Sequence, residues 1–154
     1  MREYYFETLS RITDEINEKN KLQSEQETRK QCSILVDEVN KILELSELAR
    51  RQGLLELEER IQSIDSDDFL KMGIMLVTDG TDADIFEEIM LSWFIGEAWH
   101  DYDALKAFID IYGMCSIQCG ELPRILKLRL ISMLPHDAKK IFCSSMMMRG
   151  KSLR

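Results

Sequence analysis

Hydrophobic positions recur along this chain at steps of three and four for nearly its whole length, the period of amphipathic helices. Tyr5, Leu9, Ile12 and Ile16 make the first stripe. Glu18 to Lys30 has one leucine among polar residues and reads as a loop or a solvated helical lead-in. Cys32, Leu35, Val36, Val39, Ile42, Leu43, Leu45 and Ala49 then share one broad face, and the pattern resumes after Gly53 at Leu54, Leu57, Ile61 and Ile64. This predicts one long helix over about 31–64, bent or interrupted at Gly53, because glycine inside a helix costs about 1 kcal/mol relative to alanine.

Asp65-Ser66-Asp67-Asp68 offers an N-cap and first-turn acids to the next helix, which is apolar on nearly every side from Phe69 to Val77 and is therefore expected to be buried. A strand is open for Ile74–Val77, with helix the preferred reading. Gly80 suits the left-handed position that ends this helix, and Thr81 can cap one running through Ile85, Ile89 and Trp93. Asp101 opens a further helix with Leu105, Phe108, Ile109, Tyr112 and Ile117 inside, and Gly120 closes it. Pro123 sits in the first turn of the next, which carries Ile125, Leu126, Leu128, Leu130 and Ile131. Pro135 breaks that helix before a last one over Asp137–Met148, and the basic end, MRGKSLR, is expected to fray. The reading is all-α: one compact bundle of about six to seven helices over 1–154, with short loops and no transmembrane segment.

Composition narrows the class. Seven glycines and two prolines in 154 residues leave too few turn residues for a many-stranded β fold. A chain this long buries about 70% of its unfolded surface, so it needs neither disulfides nor metal to fold. The net charge of −8 disfavours nucleic acid and anionic lipid surfaces as partners. Acids stand near the start where a signal peptide needs an apolar run, and no apolar run approaches the ~20 residues of a membrane helix, so the expected location is cytoplasmic. Cys32, Cys115, Cys119 and Cys143 lie in helix-like sequence without framework spacing and are expected to be reduced.

Catalytic and metal motifs are missing. His100 and His136 stand apart from each other and from any cysteine pair, so no metal site is expected, and His100 reads as a surface or capping residue. There is no phosphate loop, nucleophile elbow or HExxH. Asp79-Gly80-Thr81-Asp82 could pass for a phosphatase loop, but no buried strand precedes it, and it reads as helix punctuation. The pairs Glu58/Glu59 and Glu87/Glu88 read as solvated helix faces rather than acid–base pairs. The methionines, including Met146-Met147-Met148, read mostly as core filling, with an adaptable binding surface as the alternative. The expectation is a protein without enzymatic activity or cofactor, acting through protein–protein contact.

Two stretches go further than periodicity. Leu45 to Glu88 carries ARRQGLLELEE, then DDFLKMGIMLVTDGTD, and leads into IFEEI; Ile111 to Pro135 carries the pattern GxxxIQxGExPRIL. In this order the two resemble cytoplasmic parts of MotA, the stator subunit of the bacterial flagellar motor. The first looks like its cytoplasmic loop, and the second like the segment after its last membrane helix. The resemblance divides the chain into a MotA-like loop (31–95), a polar link standing where membrane helices would be (96–110), and a MotA-like C-terminal segment (111–135). Glu97, His100, Asp101, Asp103, Lys106 and Asp110 make that link too polar to span lipid. Ion conduction therefore does not carry over.

What the resemblance does imply is docking. In the family an arginine and a glutamate of the cytoplasmic helix face opposite charges on the rotor protein FliG, and by position they match Arg50 and Glu58, with Arg51 and Glu59 beside them. The residues alone read equally as ordinary solvated charges, together with Glu56 and Arg60. The expected partners are FliG or stator components. The alternative is a structural, self-associating protein derived from the stator scaffold, a homo-oligomer joined through apolar flanks at Trp93, Phe94 and Trp99.

Overall fold

Ser24 makes the first corner. In the computed structural model, which describes residues 2–148, the polar stretch after the first stripe is helical on both sides of a two-residue turn. Helix α1 (Arg2–Leu22) ends there, and α2 (Glu25–Gln52) begins with the Ser24 side chain accepting a hydrogen bond from the Glu27 N–H at 3.2 Å. Then follow α3 (Glu56–Ser63), α4 (Asp68–Thr78), α5 (Ala83–Glu97), α6 (Asp101–Gln118), α7 (Pro123–Met133) and α8 (His136–Met148). The described residues thus hold eight helices and no strand. No described helix is long and apolar enough to cross a membrane. The basic end from Arg149 lies outside the described residues, as do the side chains of Met146–Met148.

The count exceeds the expected six to seven because the long helix over 31–64 is two. Gly53 takes φ 94° and ψ 167°, a region open only to glycine, so α2 stops and α3 starts in a new direction. The caps also differ in part. Asp67 caps α4 as expected, its carboxylate accepting from the Leu70 N–H at 2.9 Å. Gly80 is left-handed, but Asp82, not Thr81, stands at the N-cap of α5. Helix α5 is turned relative to its expected stripe: it buries Phe86, Met90 and Phe94 and leaves Ile85 and Ile89 exposed. Helix α7 buries Leu126, Leu130 and Met133 and leaves Ile125 and Leu128 outside.

Helix α6 is the hub. It packs against α1, α2, α4, α5 and α7, and twelve of its eighteen residues are buried, hence apolarity on nearly all sides. Its approach to α2 is close because Gly113 has no side chain; a Cβ there would overlap Ile42. Fully buried Phe108 and, from α5, Phe86 each add about 2–3 kcal/mol of transfer free energy. The turn between α5 and α6 is tight, with Ala98 and Asp101 both at positive φ, 53° and 43°. Trp99 between them holds it, edge-on to Phe69 and Phe94 with ring centroids 5.0 and 6.2 Å away.

Candidate functional site

The residues singled out for docking occupy the α2–α3 hairpin. Arg50 and Arg51 lie in the last turn of α2, where positive charge meets the negative end of the helix, and both are exposed. Beyond Gly53, α3 folds back along α2: Leu57 and Ile61 bury, and Arg60 forms an ion pair with Glu44. Arg50 and Glu58 therefore stand on two arms of a hairpin, not eight residues apart on one helix. Glu58 accepts a hydrogen bond from the Thr78 hydroxyl at 2.8 Å, which ties α3 to the end of α4. Arg51 reaches back to the Glu47 carbonyl at 3.4 Å. Arg50 lines a shallow cleft with Ser46, Leu54, Ile117, Gln118 and Glu121. The end of α2 and the α6–α7 turn, distant in sequence, thus form one surface, and Gln118 donates from that turn to the Thr81 carbonyl.

Trp93 and Trp99 both pack on Phe69, and Phe94 packs on Trp99. Phe94 is buried, while the two tryptophans are half-buried, Trp93 packing edge-on against Phe69 at 5.8 Å. The outward apolar surface of α5 belongs to Ile85, Ile89 and Ile95, the last 65% exposed.

The molecule also holds a charge cluster where α2, α4 and α6 meet. Asp110 of α6 is fully buried and Glu38 of α2 nearly so. Lys106, one turn before Asp110, lies 3.5 Å from Asp110 Oδ2, 3.7 Å from Glu38 Oε1 and 2.7 Å from Asp67 Oδ2. Lys41 adds a bond to Glu38 Oε2 at 3.1 Å. Burial, and then the facing Glu38 carboxylate, push Asp110 well above the usual carboxylate range. Burial also works against ionised Glu38, but the Asp110 hydrogen bond, Lys106 and Lys41 outweigh it and hold Glu38 low. The same balance raises Lys106, whose burial is outweighed by Asp110, Glu38 and Asp67. A second buried acid, Glu87, accepts from the Tyr5 hydroxyl at 3.0 Å, so it is not the solvated partner of Glu88 that its position implied. Beside it, burial and then the Glu87 charge push the Cys115 thiol up to about 12, leaving a weak nucleophile.

Motility protein A of Treponema pallidum (strain Nichols) is 46% identical over 73 residues, which is 47% of this chain and 26% of that protein. This chain is related in part to Motility protein A. The same protein of Borreliella burgdorferi is 41% identical over 49 residues, and that of Bacillus subtilis (strain 168) 47% over 47 residues, or 32% and 30% of this chain. The chain spans about a quarter or less of the length of these Motility protein A relatives. No protein-family model and no solved structure matches it.

The Motility protein A likeness drew the sequence reading to Arg50 and Glu58, and periodicity alone passed over the buried acids. A signal was present. Glu38 falls three residues after Leu35 and four before Ile42, in phase with the core stripe, and Asp110 sits between Ile109 and Ile111 on a helix buried almost all round. Acids at core-phased positions announce buried partners.

Proposed function

We propose that this protein is a soluble, cytoplasmic, motor-related protein that acts by protein–protein contact, docking on the rotor protein FliG through its α2–α3 hairpin. The partial identity with Motility protein A carries the reading. Arg50 and Glu59, exposed and without an ion pair among the described residues, are compatible with it, as is exposed Arg51. In this reading Arg50 and Glu58 bind opposite charges on the partner, with Arg51 and Glu59 flanking them. Exposed pairs contribute at most about 1 kcal/mol each, so the surface sets orientation and association rate more than affinity. The test is a titration of the full chain against the C-terminal domain of FliG at low and moderate salt. Weak, salt-sensitive binding should drop about fivefold for Arg50→Ala and disappear for Arg50→Glu or Glu58→Lys. Binding that the reversals leave unchanged removes the hairpin from the interface.

Exposed Ile85, Ile89 and Ile95 favour a second reading, in which two copies pair along α5 beside Trp93 and Trp99. Light scattering at rising concentration decides it: a dimer that Ile89→Glu dissolves supports self-association, and a monomer throughout rejects it.

A further inference from the structure

We propose that Asp110 and Glu38 hold one proton between them in the folded protein, and that this proton latches α6 to α2. The geometry carries the case. Glu38 Oε1 and Asp110 Oδ1 are both buried and lack a hydrogen-bond partner among the described residues. Two orphaned buried acceptors are each destabilising, whereas a single proton placed between them satisfies both.

Charge balance points the same way. The groups facing the Asp110–Glu38 pair are Lys41 of α2, which bonds Glu38, Lys106 of α6 itself, and Asp67 at the N-cap of α4. The other helices packed on α6, namely α1, α5 and α7, place none among the groups acting most strongly on it. With every group ionised, three carboxylates face two ammonium groups, so one negative charge is left uncompensated next to a side chain with no solvent access. Neutralising one carboxyl removes that excess. Lys106 lies about equally near the two acids, at 3.5 Å from Asp110 and 3.7 Å from Glu38, but Lys41 bonds Glu38 at 3.1 Å, so Glu38, facing both cations, keeps the charge. Asp110 keeps the proton and donates it.

The consequence is a fold that loosens as pH rises above the ordinary carboxyl range. Asp110 binds its proton more tightly folded than unfolded. Its share of stability is therefore complete below the unfolded carboxyl value, about 4, and drains away as pH rises through the folded value. Across that window the ratio of folded to unfolded protein falls by up to about tenfold per pH unit on this group's account. Deprotonation leaves two buried carboxylates facing each other across the α2–α6 seam.

The experiment is carbon NMR of the full chain with labelled aspartate and glutamate side chains, followed from about pH 4 to about pH 9, alongside urea denaturation at each pH. The Asp110 carboxyl carbon should keep its protonated position well above the pH at which an ordinary aspartate titrates, and the urea midpoint should fall from about pH 4 up to the pH at which that carbon moves and level off beyond it. In Asp110→Asn the amide still donates to Glu38 but has no proton to lose, so that fall should flatten. In Glu38→Gln the shared proton has no second acceptor acid, and Asp110 should titrate at lower pH than in the wild type. An Asp110 carbon that titrates below about 5 in the wild-type chain overturns the proposal, and that measurement decides even where a variant fails to fold. An equal fall of the urea midpoint above about pH 4 in folded Asp110→Asn also overturns it.

Discussion

Helix α2 carries charge in two ways. At its end, Arg50 and Arg51 stand in water, and across the hairpin Glu58 and Glu59 do the same. Three turns earlier, Glu38 has 3% of its surface exposed and faces Asp110, Lys106 and Lys41. Both sets are acids beside bases, and the physics is opposite. Water screens the outer charges, so each is replaceable for folding and available to a partner. The inner charges have exchanged their hydration for one another, so each depends on all the rest. A charged residue's meaning comes from its dielectric surroundings, and these are set by the neighbouring helix rather than by the residue itself.

The contrast can be broken most severely at Lys106. Lys106→Met keeps the bulk of the side chain and removes the charge, leaving Glu38 and Asp67 without their shared cation. A loss of about 3–5 kcal/mol is expected, seen as a large fall in the urea midpoint. Gly113→Ala tests the seam by size instead of charge. The added methyl group collides with Ile42, and overpacking of about 1–3 kcal/mol is offset by about 1 kcal/mol of gained helix propensity. The balance is a net loss of up to about 2 kcal/mol; a gain in stability would mean that α2 and α6 separate easily at this point. The hairpin should respond least. Arg50→Glu and Glu59→Lys should each change stability by less than about 0.5 kcal/mol, and a larger change would mean that these charges also serve the fold.

The same contrast explains what could be read from the sequence. The all-α class and most of the helix positions followed from the three-and-four spacing, from Asp67 and Pro123 at helix starts, and from Gly80 and Gly120 past helix ends. The rotation of α5 did not, because Ile85, Phe86, Ile89, Met90, Trp93 and Phe94 make an apolar band wide enough for either half to face inward. Nor did the break at Gly53, since an apolar period that continues through a glycine fits a bent helix and a hairpin equally. At the candidate site, Arg50 and Glu58 were found by likeness to another protein. Their placement on separate arms needed coordinates, because it depends on how α3 returns along α2. Glu38 and Asp110 lay in core phase, but their partnership joins residues 72 positions apart, and no local pattern brings them together.

That distance also matters during synthesis. Helix α6 is the common neighbour of α1, α2, α4 and α5, yet it is made after all four of them. At roughly 5–20 residues per second, α1 and α2 wait several seconds at the ribosome with their apolar faces uncovered. Until α6 emerges, Ile12, Ile16 and Ile42 lack the surface against which they will close, and for that interval the nascent chain is a natural client for a holding chaperone.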